Sequence, residues 1–175
     1  MASQLLYLRD LPKYEQLKDA AKRYPDIDPE SIAAYLLLLR VASDVADIIH
    51  KYLDGHQISH GRFSILALLN RDPEKGLCPA ELADKAGVTR ATMTGLLDGL
   101  ESDGYISREG HLADRRMLTV RLTPAGSAFL ERVIPGYLQR LNAVMSPLDT
   151  AQRRTLGELL STLGGHAGEM HKQAP

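Results

Sequence analysis

The stretch that decides the fold is PAELADKAGVTRATMTGLLDGLES, residues 79–102. Apolar residues recur at helical spacing on both sides of Gly87-Val88-Thr89, which predicts two helices joined by this short turn. Gly87 can adopt the left-handed conformation that a tight turn requires, and Thr89 is a favoured N-cap for the second helix. The positions expected to face inward are Leu82, Ala83, Ala86, Met93, Leu96, Leu97 and Leu100. The pattern indicates a helix-turn-helix.

A strand-like pattern follows these helices. Residues 117–122, MLTVRL, alternate apolar and polar side chains with the two-residue period of a strand. Together with residues 105–109 they predict a β-hairpin with Asp114-Arg115-Arg116 at its polar tip. Residues 105–122 contain four arginines and two acidic residues, so we expect the hairpin to be locally cationic.

Helices are also predicted before the helix-turn-helix and the hairpin. Residues 1–28 indicate a short helical extension in which Asp10 can serve as the cap. Asp28-Pro29 begins a longer helix that ends at Asp54-Gly55, and Ser59 begins the next one. The longer helix carries more leucine and isoleucine than one small domain needs, which favours burial against a second copy of the chain.

Two more helices are predicted after the hairpin. The first begins at Thr123-Pro124 and is expected to be interrupted and kinked at Pro135-Gly136. The second begins near residue 150, loosens at Gly164-Gly165 and frays from His166 onward. The predicted organisation is therefore an N-terminal helical extension, a first long helix, a lobe with the helix-turn-helix and the hairpin, and a C-terminal helical region, at residues 1–28, 29–57, 58–123 and 124–175.

Composition narrows the class of protein. The chain has 175 residues, 44% hydrophobic and 25% charged, which is typical of a globular domain. Its single cysteine excludes an internal disulfide framework and a multi-cysteine zinc cage, and fits a reducing compartment. Charged residues near the N-terminus argue against a signal peptide or a membrane span, so we expect a cytoplasmic protein without a membrane partner.

Net charge gives no positive sign of nucleic-acid binding. The formal charge is −1 at pH 7, whereas many DNA-binding domains are strongly basic. Affinity for DNA depends on the cations that reach phosphate and not on the sum over the chain. A DNA-binding interpretation must therefore rest on local placement and on fold.

The order of elements and three motifs resemble the MarR family of bacterial transcriptional regulators. The motifs are Leu82–Thr89, Leu100–Ile106, and Asp114-Arg115-Arg116 followed by LTPAG at residues 122–126, within a resemblance that covers about residues 30–165. The resemblance implies a mainly α fold with a small β-hairpin wing (α+β), in which N- and C-terminal helices form a dimerisation region around a winged helix-turn-helix. It also implies a homodimer that binds a palindromic operator in double-stranded DNA and is released by a small ligand or an oxidant.

The recognition helix of such a fold reads bases with its first turns. Arg90, Ala91 and Thr94 lie on its expected outward face, and Ala91 could touch a thymine methyl group. Thr89 and Thr92 are expected to contact phosphate through their hydroxyl groups. The alternative for both threonines is capping and solvation alone.

The wing is expected to enter a minor groove, where arginine is attracted to the negative potential. Arg115 or Arg116 would make the contact, and Asp114 would orient one guanidinium. His111 shares the tip and is grouped with the wing residues, although a plain polar loop residue is the alternative. An exposed hairpin whose charges only maintain solubility would explain the sign of the charge but not the order Asp-Arg-Arg.

An effector is expected in the crevice between the dimerisation helices and the DNA-binding lobe. Candidate lining residues are Tyr35, Arg40, His60 and Phe63, with packing or surface roles as the alternative. The family resemblance suggests an anionic aromatic or phenolic compound. The N-terminal extension resembles that of the urate-responsive branch, but this sequence has no tryptophan and that branch places one in its ligand site, so urate is not carried over.

Other functions have less support. Cys78 precedes a helix N-terminus, which favours the thiolate, but a capping role explains the same position. The pairs His56 and His60, and His166 and His171, lack the partners of a tetrahedral site, so we expect neither a metal nor a cofactor. No catalytic motif is present, which argues against an enzyme. A winged helix that serves only as an interaction module without DNA binding is the main alternative function.

Overall fold

The computed structural model describes residues 11–24, 26–110 and 118–173. Within those ranges the elements are, in chain order, α1 (Tyr14–Arg23), α2 (Pro29–Asp54), α3 (His60–Leu69), α4 (Pro79–Ala86), α5 (Arg90–Ser102), β1 (Ile106–Gly110), β2 (Leu118–Leu122), α6 (Pro124–Met145) and α7 (Thr150–Gln173). The fold is mainly α with a two-stranded antiparallel hairpin, as predicted. No helix in the described ranges combines the length and apolar character needed to cross a membrane.

The predicted caps begin the helices of the first part of the chain. The Asp28 carboxylate accepts hydrogen bonds from the backbone N–H groups of Glu30 at 3.1 Å and Ser31 at 3.2 Å, so α2 begins where predicted. The Ser59 hydroxyl accepts from the N–H of Arg62 at 3.3 Å at the start of α3. The extension is helical from Tyr14 onward, whereas its predicted cap, Asp10, lies outside the described residues.

The described residues divide into two compact units, one ending at Pro135 and one beginning at Gly136. The first unit contains the hydrophobic core, which joins α2, α3, α4, α5, the hairpin and the first half of α6. Its fully buried side chains include Leu53, Ile65, Leu66, Leu82, Leu97, Leu100, Val120 and Val133. The helix-turn-helix therefore belongs to a core that its own chain completes.

The hairpin is fixed to this core through β2. Ile106 pairs with Leu122 at one end and Gly110 with Leu118 at the other. The backbone of Val120 also exchanges hydrogen bonds with that of Leu77, at 2.8 and 3.1 Å, which connects the hairpin to the segment before α4. The wing base and the helix-turn-helix therefore form one packed body.

The motif LTPAG has a structural explanation at the start of α6. The Thr123 hydroxyl donates to the carbonyl of Gly104 at 2.7 Å and accepts from the N–H of Gly126 at 3.1 Å. A Cβ on Gly126 would overlap the carbonyl oxygen of Tyr105, so only glycine allows this approach. The threonine caps α6 while the glycine lets it contact the turn after α5.

Two local predictions about the C-terminal helices were wrong. One helix runs from Pro124 to Met145 with Pro135 inside it, so it is not interrupted at Pro135-Gly136, while the expected kink stays a prediction. Similarly, α7 passes through Gly164-Gly165 and continues to Gln173, so its tail does not fray from His166. Proline removes one hydrogen bond and each glycine costs about 1 kcal/mol, but cooperative helix formation over the flanking turns outweighs these local costs.

Candidate nucleic-acid interface

The orientation of α5 is set by its connection to α4. Gly87 has φ 64°, the left-handed conformation predicted for it, and ends α4. The next N–H, that of Val88, donates to the carbonyl of Ala83 at 3.1 Å, which closes the turn. The Thr89 hydroxyl then accepts from the N–H of Thr92 at 3.2 Å and caps α5. The chain thus changes direction between the two helices within three residues.

One face of α5 is packed into the core. Met93, Leu97 and Leu100 are each at most 1% exposed, as predicted for the inward face. Leu82 and Ala83 of α4 are also buried, whereas Leu96 is half-buried at the margin of the core. Apolar packing therefore prevents α5 from rotating about its axis.

The five predicted recognition residues share the exposed first turns of α5. They are Thr89, Arg90, Ala91, Thr92 and Thr94. The hydroxyl oxygens of Thr89 and Thr92 lie 2.9 Å apart, and the Thr94 hydroxyl donates to the carbonyl of Arg90 at 3.0 Å. The threonines therefore have local hydrogen-bond partners, and Arg90 offers a cationic side chain beside them. Their contacts with DNA stay a prediction.

Arginines neutralise the acidic side chains at the other end of α5. Arg108 on β1 bonds Asp98 at 2.6 Å and lies 3.4 Å from Glu101 through Nε. The Nε atom is buried without an aligned hydrogen bond, so the Glu101 contact is an electrostatic one. Arg62 on α3 bonds Asp103 at 3.0 Å. The negative charge of this half of the helix is thereby reduced near a surface that would meet phosphate.

Sequence reasoning missed these ion pairs. The available signal was the placement of three acidic residues in the last turns of a predicted DNA-reading helix, where uncompensated negative charge would oppose binding. The partners could not be read from spacing, because Arg62 is 41 residues from Asp103 along the chain. Only the packing of α3 against α5 brings them together.

The wing base has fewer free cations than the sequence suggested. Arg121 on β2 lies 3.2 Å from the carboxylate of Glu109 on β1 and also donates to the carbonyl of Glu74. With Arg108 paired to α5, both described arginines of the hairpin have acidic partners. The predicted tip residues, His111, Asp114, Arg115 and Arg116, lie outside the described residues.

The four predicted effector residues lie on two helices. Tyr35, which is 59% exposed, and Arg40, whose Nε lies 4.0 Å from Asp44, belong to α2. Phe63 of α3 is 4% exposed and packs in the core. Whether the four line a pocket stays a prediction.

His60, at the start of α3, meets a second histidine. Its ring lies edge-on to that of His50, with 5.5 Å between centroids. His60 is exposed as a whole residue, but loss of water around its ring, followed by the charge of His50, lowers the pKa of His60. The Nδ1 atom of His50 is buried without a hydrogen-bond partner. The junction of α2 and α3 thus disfavours positive charge on His60.

Cys78 has a capping role at the start of α4. Its N–H donates to the Glu81 carboxylate at 2.8 Å, and its sulfur accepts from the N–H of Glu81 at 3.4 Å. The backbone bond from Cys78 is the largest cause that lowers the pKa of Glu81. In the described ranges, no group of three or more His, Cys, Asp and Glu side chains is arranged to hold a metal ion.

Comparison with known proteins places this geometry in a family. The sequence model of the MarR family matches residues 58–118. The HTH-type transcriptional repressor YetL of Bacillus subtilis (strain 168) is 37% identical over 160 residues, which cover 89% of this chain and 96% of YetL.

Two solved structures show the same fold. Sco3205, a MarR family transcriptional regulator from Streptomyces coelicolor in complex with DNA, has a TM-score of 0.73 at 24% identity. The aligned part covers 79% of this chain and 88% of the Sco3205 chain. Bordetella bronchiseptica BpsR, whose DNA binding is regulated by 6-hydroxynicotinic acid, has a TM-score of 0.64 at 23% identity. The aligned part covers 73% of this chain and 90% of the BpsR chain. At these identities the likeness concerns the fold alone.

The similarity to YetL extends beyond the helix-turn-helix and wing. It spans nearly the whole of both chains and therefore includes the long helices on either side of the DNA-binding lobe. This agrees with the resemblance inferred from three short motifs. The chain belongs to the MarR family and is a DNA-binding transcriptional regulator.

Proposed function

We propose that this chain is a homodimeric, ligand-responsive repressor of a pseudo-palindromic operator. The observation that carries the proposal is the asymmetry of α5, whose first turns are exposed around Arg90 while Met93 and Leu97 are buried. Such a helix can enter a major groove without disturbing the core. Two copies would place their recognition helices about 34 Å apart, one DNA turn, on the two half-sites.

Exposed apolar faces support the homodimer. Side chains of α2 that are 39–59% exposed are Tyr35, Leu37, Leu38, Val41 and Ile48. Side chains of α7 that are 41–60% exposed are Leu159, Leu160, Leu163 and Met170. Contiguous apolar surface of this kind is unfavourable in water and typical of an interface. A second copy of the chain would cover both faces.

Contacts with the operator divide by chemistry. Arg90, Ala91 and Thr94 would read base edges, because guanidinium and methyl groups match the donor, acceptor and methyl pattern of the major groove. Thr89 and Thr92 would contact phosphate beside the positive end of the α5 dipole.

The wing would bind the adjacent minor groove. Arg115 or Arg116 would enter the groove, Asp114 would hold a guanidinium in place, and His111 would contribute from the tip. The described base of the hairpin supports this role, because its backbone is hydrogen-bonded to the segment before α4, which fixes the base to the helix-turn-helix.

An aromatic acid is the proposed effector class. The related fold of BpsR responds to 6-hydroxynicotinic acid, and this chain offers aromatic and cationic groups on α2 and α3 at Tyr35, Arg40, His60 and Phe63. A ligand held there would release DNA by favouring a dimer whose recognition helices no longer match the groove spacing. We place the repressor in the cytoplasm, with neither a cofactor nor a catalytic step.

The direct test is a mobility shift with the DNA upstream of the protein's own coding region. Full-length protein is titrated at two salt concentrations against competitor DNA of unrelated sequence. We expect selective binding that weakens as salt rises, because phosphate contacts release counterions. Binding to neither DNA would instead favour the interaction module without DNA binding, and equal binding to both would mean that the operator lies elsewhere.

Release by effector is tested on the same DNA. Aromatic acids, starting with 6-hydroxynicotinic acid, are added to the preformed complex, and transcription from the bound promoter is measured in parallel. A repressor gives lower transcription when bound and recovery when released. Increased transcription on binding would identify an activator.

A further inference from the structure

We propose that Arg62 is a positioning residue for DNA binding: its guanidinium holds the C-terminal end of α5 against α3 and so sets the angle at which the first turn of α5 meets the groove. The inference rests on the proposed function, since it concerns how the recognition helix is presented. Arg62 does not belong to the predicted DNA-contacting set.

The first observation is the bond that Arg62 makes across the lobe. Its Nη1 donates to the Asp103 carboxylate at 3.0 Å, and the two side chains are 33% and 44% exposed. Asp103 is the C-cap residue of α5, and its own N–H donates to the carbonyl of Gly99 at 3.0 Å. The ion pair therefore ties α3 to the last turn of the recognition helix.

The second observation is the glycine beneath the guanidinium. A Cβ on Gly99 would overlap Nη2 and Cζ of Arg62 and lie 2.7 Å from its Nε. The planar group thus lies against the α5 backbone, and a side chain at position 99 would have to displace it. Glycine is a poor helix former, so its place in the last turn of α5 is explained by this packing and not by propensity.

The neighbouring residue shows the same close approach. A Cβ on Gly61 would lie 3.3 Å from Cδ2 of Leu96, so the start of α3 passes near α5 at two successive positions. Gly99 and Asp103 are four residues apart and share one face of α5. Arg62 contacts both, which restricts tilting of the helix as well as its separation from α3.

The contact lies far from the first turn of α5, so a small tilt at the contact produces a large displacement of that turn. Arg90 and Gly99 are about 14 Å apart along the helix axis, given a rise of about 1.5 Å per residue. A tilt of about 5° at the contact would move the first turn by about 1 Å, which is enough to misplace a bidentate base contact. α3 follows directly from α2, so the same contact links the recognition helix to the proposed dimerisation helix.

Two variants disturb the contact in different ways. Arg62→Met removes the guanidinium, whereas Gly99→Ala keeps every charge and displaces the flexible end of Arg62 with one methyl group. We expect each variant to weaken operator binding by about 3- to 30-fold, the range found for residues that modulate a site without touching its ligand. Gly99→Ala should leave the melting temperature equal or higher, because alanine favours the helix.

Double substitution tests whether the two residues act together. If the methyl group acts by displacing Arg62, the Arg62→Met/Gly99→Ala protein should bind DNA no more weakly than Arg62→Met alone. Arg23→Met on α1 removes the same charge far along the chain and serves as the matched control, with binding expected within about twofold of wild type. Additive losses in the double variant would overturn the proposal.

The salt dependence separates positioning from direct contact. A residue that touches phosphate lowers the salt slope by about one when it is removed. We expect the slopes of both variants to equal that of the wild type. A reduced slope for Arg62→Met would show that Arg62 binds phosphate, and binding within twofold of wild type for both variants would show that the contact is irrelevant.

Hydrogen exchange provides a readout that does not need DNA. In both variants the amides of Asp103 and Gly104, at the end of α5, should exchange at least about threefold faster than in wild type, because local opening becomes easier. Unchanged exchange would overturn the inference even if the wild type bound its operator. Failure of the wild type to select any DNA would refute the proposed function, and exchange would still decide whether Arg62 holds α5.

Discussion

The leucines of α5 and those of α7 have the same spacing but opposite environments. Leu97 and Leu100 in α5 are 1% and 0% exposed, whereas Leu160 and Leu163 in α7 are 41% and 55% exposed. Both helices are amphipathic by sequence. The difference is that residues of one chain complete the core of the DNA-binding lobe. The apolar face of α7, in contrast, is exposed in the part of the chain that the structure describes.

The contrast separates two functions. The lobe must present a rigid helix to DNA whatever the state of the rest, which a self-contained core provides. In the proposed homodimer the long helices would bury their leucines only against a second copy, so their stability would depend on protein concentration. In the proposed homodimer the separation of the two DNA-binding lobes could then change without unfolding either of them.

The largest expected effect comes from placing charge on the uncovered face. Leu160→Asp should separate the homodimer, since an uncompensated buried carboxylate costs about 3–5 kcal/mol and a two-fold interface contains it twice. Light scattering after gel filtration measures the mass. Ser161→Asp adds the same charge at a polar position and should leave the dimer intact. A wild-type protein that is monomeric at micromolar concentration would contradict the inference that a second copy covers α7.

The next effect tests the self-contained lobe. Leu97→Ala should lower the free energy of unfolding by about 2–5 kcal/mol, because it leaves a cavity in a fully packed core. Denaturant titration at two protein concentrations measures it. The loss should be independent of concentration, unlike that of Leu160→Asp. A loss under 1 kcal/mol would mean that α5 is less tightly packed than its burial indicates.

A smaller effect is expected from removing single arginines, and it distinguishes a residue that reads bases from one that adds affinity for any DNA. Arg90→Ala should cost about 1–3 kcal/mol of operator binding and relax sequence preference, whereas Arg116→Ala should weaken all sequences alike and lower the salt slope. Competition with operator and unrelated DNA at two salt concentrations distinguishes them. Equal losses on both DNAs for Arg90→Ala would remove it from the base-reading group.

The smallest effect concerns His60, at the junction of α2 and α3. The pKa of His60 is lowered by loss of water and by His50, so the unfolded chain binds this proton more readily than the folded one. The contribution of neutral His60 to the free energy of unfolding is therefore complete above about pH 6.5, and it is lost as the pH falls through the pKa of the folded state. His60→Gln should flatten that part of the stability profile. Greater stability of the wild type at lower pH would contradict the shift.

Much of the fold was predictable because its signals are local. Asp28, Ser59 and Thr89 cap helices as expected, and Gly87 has the left-handed conformation that its turn requires. These residues act on backbone groups within three or four positions of themselves. The interruption at Pro135 and the loosening at Gly164-Gly165 were predicted from equally local rules and were wrong, because the neighbouring turns maintain the helix.

The sequence by itself determined which residues face one another along a helix or strand, where the elements begin, and that Arg90 and its neighbours stand on the exposed first turns of α5. It did so because periodicity, capping and turn geometry depend on nearby residues. Only the tertiary structure decided that Arg62 lies over Gly99 and bonds Asp103, and that Arg108 joins β1 to α5. Those contacts join residues distant in the chain, and no short-range pattern specifies which arginine will meet which carboxylate.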